Sequence, residues 1–333
     1  MEIKVNLLEE VKSKLIENNG VEINFKDSAK KNNRIATINN EQFIVTIKSE
    51  ITQGNKGIVL QQMKELSIEE NLPALLITKY IPSHIAELYV EAGVNYIDVA
   101  GNCNIHRDNL LLVIGGKKTE RLPKKNQSRA FQEAGIKLIY CLLKNPENMN
   151  KSFRELSEIS QISLGSVSSI FRELVDLKFV LKTKNKKILK NKSTLLYRWV
   201  IAYNDVLRPR LLLKKMSFSN KADAANWHNL NLLSISGTTL WGGECAANIL
   251  THNLIPAHYT LYTDNTWQAI GKILKLVPDE NGKIEILRLY YLDSKAERTV
   301  SPLLAYADLL GSGDERNLET AEIFLNSDLQ YLK

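Results

Sequence analysis

Between residues 153 and 177, apolar side chains recur at three- and four-residue steps, which predicts two short helices joined by a tight turn. The first helix has an apolar face made of Phe153, Leu156 and Ile159. The apolar face of the second helix consists of Leu164, Val167, Phe171, Leu174 and Leu177. Its opposite face consists of Ser166, Ser169, Arg172, Glu173 and Asp176. Ser163 stands just before the second helix, where a serine hydroxyl caps free backbone amides. A helix with one buried side and one side of small polar groups and an arginine suits the major groove of DNA.

A lysine-dense stretch follows, because residues 178–192 contain seven lysines and no acid. The apolar runs 179–181 and 194–197 predict two strands, with the lysines largely in their connection. Two helices and then a basic hairpin predict a winged helix-turn-helix whose hairpin meets phosphates. The alternative is a solvated, charged loop on an ordinary helical domain. Under the DNA hypothesis, base edges are contacted by Ser166, Ser169 and Arg172. Phosphates are contacted by Lys182, Lys184, Lys186, Lys187 and Lys190.

The first 116 residues alternate between helical and strand patterns, which predicts a mixed α/β domain. An amphipathic helix over residues 7–16 opens it. Strands are predicted over 21–25, 34–38, 42–47, 74–78, 95–99 and 110–114. Helices are predicted over 56–66 and 82–92, with Pro82 at the first helical position.

This order of elements is similar to the core of restriction-endonuclease-like folds. A metal-dependent nuclease of that kind needs an acid and a Glu-x-Lys pair at strand ends, to hold the metal and activate water. Asp98 ends a strand, but no Glu-x-Lys pair follows it, and Lys48 and Glu50 stand in the wrong arrangement. We therefore expect Asp98, Gly101 and Asn102 to shape a turn. A nuclease acting through this domain, delivered to DNA by the winged helix, is the alternative hypothesis.

Composition divides the rest of the chain into three parts. Residues 117–129 are basic and polar, which predicts a linker that either tracks a DNA backbone or is simply solvated. The winged domain is predicted over 130–205, with its first helix over 131–143, and a C-terminal α/β domain over 206–333. Strands of the C-terminal domain are predicted over 232–236, 258–262 and 283–291. Its helices are predicted over 209–214, 222–227, 241–250, 266–274, 301–310 and 317–329.

The charge distribution strengthens the DNA hypothesis. The chain of 333 residues has a net charge of +7, and residues 117–199 hold nineteen lysines and arginines against seven acids. The positive charge is thus concentrated in the centre of the chain, as an electrostatic footprint for DNA requires. Cys103, Cys141 and Cys245 stand far apart, without metal spacing or a disulfide framework, which indicates a reducing compartment. With no signal peptide and no apolar run of membrane length, we expect a cytoplasmic protein. The five histidines are scattered along the chain, so we expect no metal site and no cofactor.

Two C-terminal stretches resemble a known family. Residues 241–247, followed by 261–262, and especially residues 302–321 are similar to the AbiEi-type antitoxins of type IV toxin–antitoxin systems, which act in phage abortive infection. Residues 76–78 and 95–102 look like the N-terminal part of a longer subgroup. Shorter members begin with the winged helix, whereas here it follows an additional α/β domain. The residues of the C-terminal motif are Gly242, Gly243, Glu244, Tyr306, Asp308, Asp314, Arg316 and Asn317.

The resemblance implies an autoregulator. In this family the winged helix binds inverted repeats in the promoter of its own operon and represses it, which makes a homodimer on DNA plausible. The C-terminal domain, related in fold to nucleotidyltransferases, counters a toxin that is itself a nucleotidyltransferase, without a tight complex. The resemblance therefore implies double-stranded DNA and a nucleotidyltransferase toxin as partners.

Nucleotidyl transfer by this chain itself is not expected. That chemistry needs a two-glycine turn and then two carboxylates, Asp-x-Asp or Asp-x-Glu, which hold magnesium ions. Gly242 and Gly243 imitate the turn, but the following strand has only Asp264. We therefore expect a protein that is not an enzyme, in which Glu244 and Asp308 are structural or contact residues.

Overall fold

The computed structural model describes residues 2–28, 33–117, 128–183, 186–220, 224–230, 232, 235, 237–291 and 298–333. Its architecture is mixed α/β, as predicted. Internal packing divides the chain into two compact units, Met1–Lys125 and Asn126–Lys333. Among the residues that the structure describes, none of the helices combines the length and apolarity needed to cross a bilayer.

The first unit contains one seven-stranded sheet in the sequential order β1 to β7. Its strands are β1 (Ile23–Asp27), β2 (Arg34–Ile38), β3 (Glu41–Lys48), β4 (Ala74–Thr78), β5 (Asn95–Asp98), β6 (Cys103–Arg107) and β7 (Leu110–Ile114). Its helices are α1 (Glu2–Asn19), α2 (Lys56–Glu70) and α3 (Ser83–Glu91). Strands β3, β4 and β5 are parallel and the other neighbouring pairs are antiparallel. The carboxyl ends of β3, β4 and β5 therefore meet at one edge of the sheet.

A core beneath this sheet forms where the amphipathic pattern of α1 predicts it. Leu8, Val11 and Leu15 of that helix pack against apolar sheet residues. One expectation was wrong here, and one strand was missed. Pro82 is the N-cap of α3 rather than its first helical residue. Strand β6 was not predicted, because polar residues interrupt the apolar pattern of residues 103–107.

The second unit begins with three helices and a hairpin. The helices are α4 (Glu133–Lys144), α5 (Phe153–Ser160) and α6 (Leu164–Asp176). The hairpin consists of β8 (Val180–Lys182) and β9 (Lys187–Leu189). The predicted second strand at 194–197 was wrong, since these residues lie in helix α7 (Lys192–Ala202). Leu195 and Trp199 are buried one helical turn apart, so the helical period outweighs the strand-like composition of the short apolar run.

The remainder of the second unit is a five-stranded sheet in the order β11-β12-β14-β10-β13, with helices around it. Its strands are β10 (Leu212–Phe218), β11 (Thr239–Gly242), β12 (Tyr259–Thr263), β13 (Leu276–Pro278) and β14 (Ile284–Arg288). After a π-helical turn over Tyr203–Leu207, the helices are α8 (Arg208–Leu211), α9 (Gly243–Thr251), α10 (Trp267–Ile273), α11 (Pro302–Ser312) and α12 (Glu315–Asn326).

Several predicted boundaries in this part were wrong. The helix predicted over 209–214 ends at Leu211, because β10 begins at Leu212 and pairs with β14. Trp241 and Gly242 belong to β11 rather than to a helix, and β13 was missed. Of the strand predicted over 232–236, the structure describes Leu232 and Ile235, and neither is in a strand.

Helix α4, helix α7 and the C-terminal elements share one aromatic core. The Tyr140 ring stacks on Trp199 at a centroid distance of 5.8 Å and approaches Tyr291 at 4.8 Å. The Tyr140 and Ser301 hydroxyls are 2.7 Å apart and form a buried hydrogen bond. Tyr331, close to the chain end, donates to the Leu143 carbonyl at 3.0 Å. The three-helix part and the five-stranded sheet are therefore packed as one body.

Candidate nucleic-acid interface and the buried Asp308 cluster

Helix α6 buries one face and exposes the other, although not at all of the expected positions. Its buried residues are Val167, Ile170, Phe171 and Leu174. Leu164 was expected in the core but is 52% exposed, since it is the first residue of the helix and lies beside the buried stripe. Ser163 is the N-cap, as predicted, and its hydroxyl accepts from the Ser166 amide at 3.2 Å.

Fewer polar side chains of α6 are exposed than its sequence indicates. Arg172 and Asp176 are exposed, whereas Ser166 and Ser169 are half-buried. The Ser169 hydroxyl donates to the Gly165 carbonyl at 2.9 Å, which leaves its oxygen as an acceptor. Glu173 faces inward instead, because its carboxylate accepts from the Ala130 amide at 3.0 Å. Of the predicted base-reading set, Arg172 is thus the group most accessible to a partner.

The hairpin that follows presents cations on a short ribbon. Lys182, Lys186 and Lys190 are exposed, and Lys184 lies outside the described residues. Lys187 differs from them, because its ammonium group lies 4.6 Å from the Phe153 ring centre and 5.2 Å from that of Phe171. Burial, followed by the charge of Lys182, lowers the pKa of Lys187. Lys187 therefore attaches the hairpin to helices α5 and α6 through cation–π contacts.

The first turn of α5 adds a cation that sequence reasoning missed. Ser152 and Glu155 form a reciprocal capping box, which fixes this helix start. The Arg154 side chain is 87% exposed and its ion pair with Glu158 is long, at 3.9 Å. The capping sequence Ser152 to Glu155 could have identified this helix start. It places Arg154 in the first turn, near backbone amides that have no partner within the helix.

Asp308 on α11 is the centre of a buried polar cluster. It accepts from Arg208 Nε at 2.9 Å and from Tyr203 Oη at 3.1 Å. Its other oxygen accepts from Tyr262 Oη at 2.9 Å and from the Gly243 amide at 3.2 Å. Only 2% of the Asp308 side chain is exposed. These described partners are three side chains and one backbone amide of the chain itself.

A second carboxylate, that of Glu285, shares the Arg208 cation with Asp308. Arg208 Nη2 lies 2.7 Å from Glu285 Oε2, so one guanidinium joins Asp308 and Glu285. Burial raises the pKa of Asp308, and the Arg208 charge offsets only part of that effect. Burial alone would also raise the pKa of Glu285, but the attraction of Arg208 and Lys215 prevails and lowers it. The cation between the two acids is thus a side chain of the protein itself.

The residues of strand β12 that face the two-glycine turn are not acids. A side chain at Gly242 would collide with the Tyr262 ring, and a Cβ at Gly243 would lie 2.9 Å from Thr260 Oγ1. The alternate positions of β12 that approach the turn are therefore 260 and 262. The one acid of the predicted strand, Asp264, instead accepts from the Thr238 amide at 2.8 Å beyond the other end of the β11–β12 pair. An Asp-x-Asp pair does not stand at this turn.

The remaining motif residues stabilise the helices around this cluster. Glu244 accepts from the Ala257 amide at 2.6 Å and from Asn317 Nδ2 at 3.0 Å. Asp314 caps α12 and accepts from the Arg316 amide at 2.9 Å. The other predicted motif residue is the buried Tyr306. The motif thus contains many residues that build the C-terminal core.

In the first unit, Asp98, Gly101 and Asn102 form a tight turn, as predicted. Asp98 accepts from the Asn102 amide and from Asn102 Nδ2, both at 2.9 Å, and from the Ile81 amide at 3.3 Å. Gly101 has φ +89°, which favours glycine. Burial raises the pKa of Asp98, and these hydrogen bonds partly oppose the rise. The carboxylate is fully buried and engaged in shaping the turn.

The three cysteines provide no reactive thiol at neutral pH. Cys103, Cys141 and Cys245 are all free and buried. Burial raises the pKa of the Cys103 thiol to about 11 and that of Cys141 to about 12. Because the thiolate is the nucleophile, these groups are suited to packing. Among the residues that the structure describes, no group of three or more His, Cys, Asp or Glu side chains is arranged to hold a metal ion.

Sequence reasoning missed four members of the Asp308 cluster, namely Tyr203, Arg208, Tyr262 and Glu285. Arg208 and Asp308 are 100 residues apart, and no local pattern links them. The alternation of Thr260 and Tyr262 on a strand beside the two-glycine turn was the one available signal.

Comparison with known proteins supports the family predicted from the motifs. Residues 187–332 match the family model described as transcriptional regulator, AbiEi antitoxin, type IV toxin–antitoxin system. The match includes the second hairpin strand, α7 and the five-stranded sheet with its helices. No curated protein and no solved structure matches the chain significantly. Residues 187–332 of this chain therefore match the AbiEi antitoxin family of transcriptional regulators, as the C-terminal motifs predicted.

Proposed function

We propose that this protein is a DNA-binding repressor of its own operon and the antitoxin of a type IV toxin–antitoxin system. The observation that carries the proposal is the exposed basic surface formed by Arg172 of α6 and by Lys182, Lys186 and Lys190 around the β8–β9 hairpin. If these side chains faced inward or were paired with acids, the proposal would lose its support.

Helices α4, α5 and α6 with the hairpin act as a winged helix-turn-helix. In this arrangement α6 enters the major groove, where Arg172 pairs with base edges. The hairpin lysines meet phosphates on the adjacent backbone. Arg154, at the start of α5, contacts the phosphate backbone as well. A site of two inverted repeats requires two copies related by a two-fold axis, so we propose that the protein binds as a homodimer.

We propose that the C-terminal sheet is nucleotidyltransferase-like in arrangement and does not catalyse nucleotidyl transfer. A strand, a two-glycine turn, a helix and a second strand follow one another in β11, α9 and β12. Support comes from Thr260 and Tyr262, which approach the two-glycine turn and are not acids, and from Arg208, which is the cation between Asp308 and Glu285. We therefore propose that this part acts as an antitoxin rather than as an enzyme. It counters a nucleotidyltransferase toxin in the cytoplasm without forming a tight complex with it.

The test is a titration of the purified protein on the DNA upstream of its own gene, across a salt series, with magnesium and unrelated competitor DNA present. We expect binding that survives the competitor and leaves the DNA intact. Loss of binding to competitor, or magnesium-dependent cleavage that Asp98→Ala abolishes, would contradict the proposal. The antitoxin role is tested by co-expression with a nucleotidyltransferase toxin of a type IV system, where we expect the intact protein to restore growth.

A further inference from the structure

Gly165, the second residue of α6, has no structural reason to be glycine within the described chain. It is exposed, and its φ lies outside the positive range that favours glycine. A Cβ built there would meet no described atom within 4 Å. Glycine at an exposed helical position lowers helix stability relative to alanine. Gly165 thus lowers the stability of α6, and no close contact in the free protein explains why the residue is glycine.

The contrast with other helical glycines is clear. A Cβ at Gly135 in α4 would collide with the Ala130 carbonyl, and one at Gly311 in α11 would collide with the Asn204 side chain. A Cβ at Gly271 in α10 would lie 2.9 Å from Met216 Cε. These three glycines are explained by close packing inside the chain.

The position of Gly165 indicates what approaches it. Arg172 follows seven residues later, which is about two helical turns, so both residues lie on one face of α6. Leu164, beside it, leaves an apolar side chain 52% exposed, and apolar side chains at such sites contact thymine methyl groups. The first turn of a recognition helix is the part that reaches base edges.

We propose that Gly165 is the point of closest approach between α6 and duplex DNA, where the missing side chain lets the helix backbone sit against the groove. This inference rests on the proposed DNA binding. It adds that the residue type at position 165 is determined by the fit of α6 to DNA rather than by folding. Glycine is the residue that permits such close approach of a backbone to a ligand.

The consequence is that one substitution should change stability and binding in opposite directions. In Gly165→Ala the free protein should unfold at the same temperature or up to about 3 °C higher, because alanine favours the helix. Affinity for the upstream DNA should fall about tenfold or more, because the added methyl group overpacks the interface. Gly115→Ala is the matched control, since Gly115 also has open space and ordinary φ but lies in the other unit.

The experiment measures thermal unfolding of the full chain and its titration on the upstream DNA for wild type and both variants. A stable Gly165→Ala protein with weakened binding, beside an unchanged Gly115→Ala, supports the inference. Equal affinity of Gly165→Ala and wild type overturns it while leaving DNA binding intact. A marked fall in unfolding temperature also overturns it, because the glycine would then serve folding. If wild type itself fails to bind selectively, the proposed function fails first.

Discussion

The surface of α6 and the β8–β9 hairpin differs from the Asp308 cluster in what its polar groups are bound to. On the hairpin, Lys182 and Lys186 point their charges to solvent, and Arg172 is likewise exposed. In the Asp308 cluster, Arg208 and its two carboxylates satisfy one another inside the protein. The hairpin charges thus remain accessible to solvent, whereas in the cluster the chain itself supplies the counterions.

Removing the central cation of the cluster should have the largest effect. Arg208→Met leaves Asp308 buried without its positive partner, which should lower the free energy of unfolding by about 3–5 kcal/mol. Tryptophan fluorescence during urea denaturation reports this, since all four tryptophans lie in the second unit. Arg316→Ala, which breaks an exposed ion pair, is the control and should cost under about 1 kcal/mol. If both substitutions lowered the free energy of unfolding equally, the buried cluster would not differ from an exposed ion pair.

Neutralising the hairpin should instead affect binding alone. In a Lys182→Ala, Lys186→Ala, Lys190→Ala triple variant, the slope of log affinity against log salt should decrease by about 0.9 for each phosphate that the protein no longer neutralises. The urea midpoint should stay that of wild type, because these side chains are exposed. The same substitutions at Lys14, Lys26 and Lys64 of the first unit are the control. An unchanged salt slope would show that the hairpin does not meet phosphates.

Arg172 and Arg154 should separate sequence reading from backbone contact. Arg172→Ala should cost about 1–3 kcal/mol on the upstream DNA and reduce its preference over unrelated DNA. Arg154→Ala should weaken both DNAs alike, because phosphates are the same in every sequence. Competition titrations with the two DNAs measure the ratio. An unchanged ratio in Arg172→Ala would show that this side chain reads no base.

Two adjacent lysines give a finer test within the hairpin. Lys187→Ala should lower the free energy of unfolding by about 0.5–1 kcal/mol, because it removes the cation–π interactions with Phe153 and Phe171. Lys186→Ala should leave stability unchanged and reduce the salt dependence of DNA binding. Denaturation and titration of the two variants compare these effects directly, and a reversed pattern would exchange the roles of the two residues.

The smallest expected effect is a pH dependence of the Glu285 contribution. The folded chain lowers the pKa of Glu285, so the stabilisation is present above its unfolded value of ~4.3 and is lost as pH falls through the folded pKa. The raised pKa of Asp308 acts in the opposite direction and is common to both proteins compared. Urea midpoints of wild type and Glu285→Gln should therefore differ near pH ~7, and the difference should shrink as the pH falls below the unfolded pKa of ~4.3. If the two urea midpoints differed by the same amount at every pH, the charge of Glu285 would not be the cause of the difference.

Local periodicity made much of this fold predictable. Helices such as α5 and α6 follow from apolar residues on one face and from serine caps, which are short-range signals. Prediction failed where a short apolar run suits either state, as at residues 194–197, and where polar residues interrupt a strand, as in β6.

The two candidate sites differ in the same way. Arg172 and the lysines could be predicted as a candidate site because a surface site depends on local charge and helix phase. The Asp308 cluster depends on Arg208, Glu285 and two tyrosines that only tertiary folding brings together. The exposure of Leu164 and the inward turn of Glu173 were likewise set by packing against neighbouring elements.

The buried hydrogen bond between Tyr140 and Ser301 also bears on how such proteins diversify. It joins residues 161 positions apart, and Tyr331 adds a contact from the end of the chain to α4. Recombination between genes that exchanged only the segment encoding α4 to the hairpin would combine aromatic surfaces that had not been selected together. If the protein binds DNA as we propose, a new operator preference should therefore arise more readily by substitutions on the outer face of α6 than by exchange of the whole segment from α4 to the hairpin.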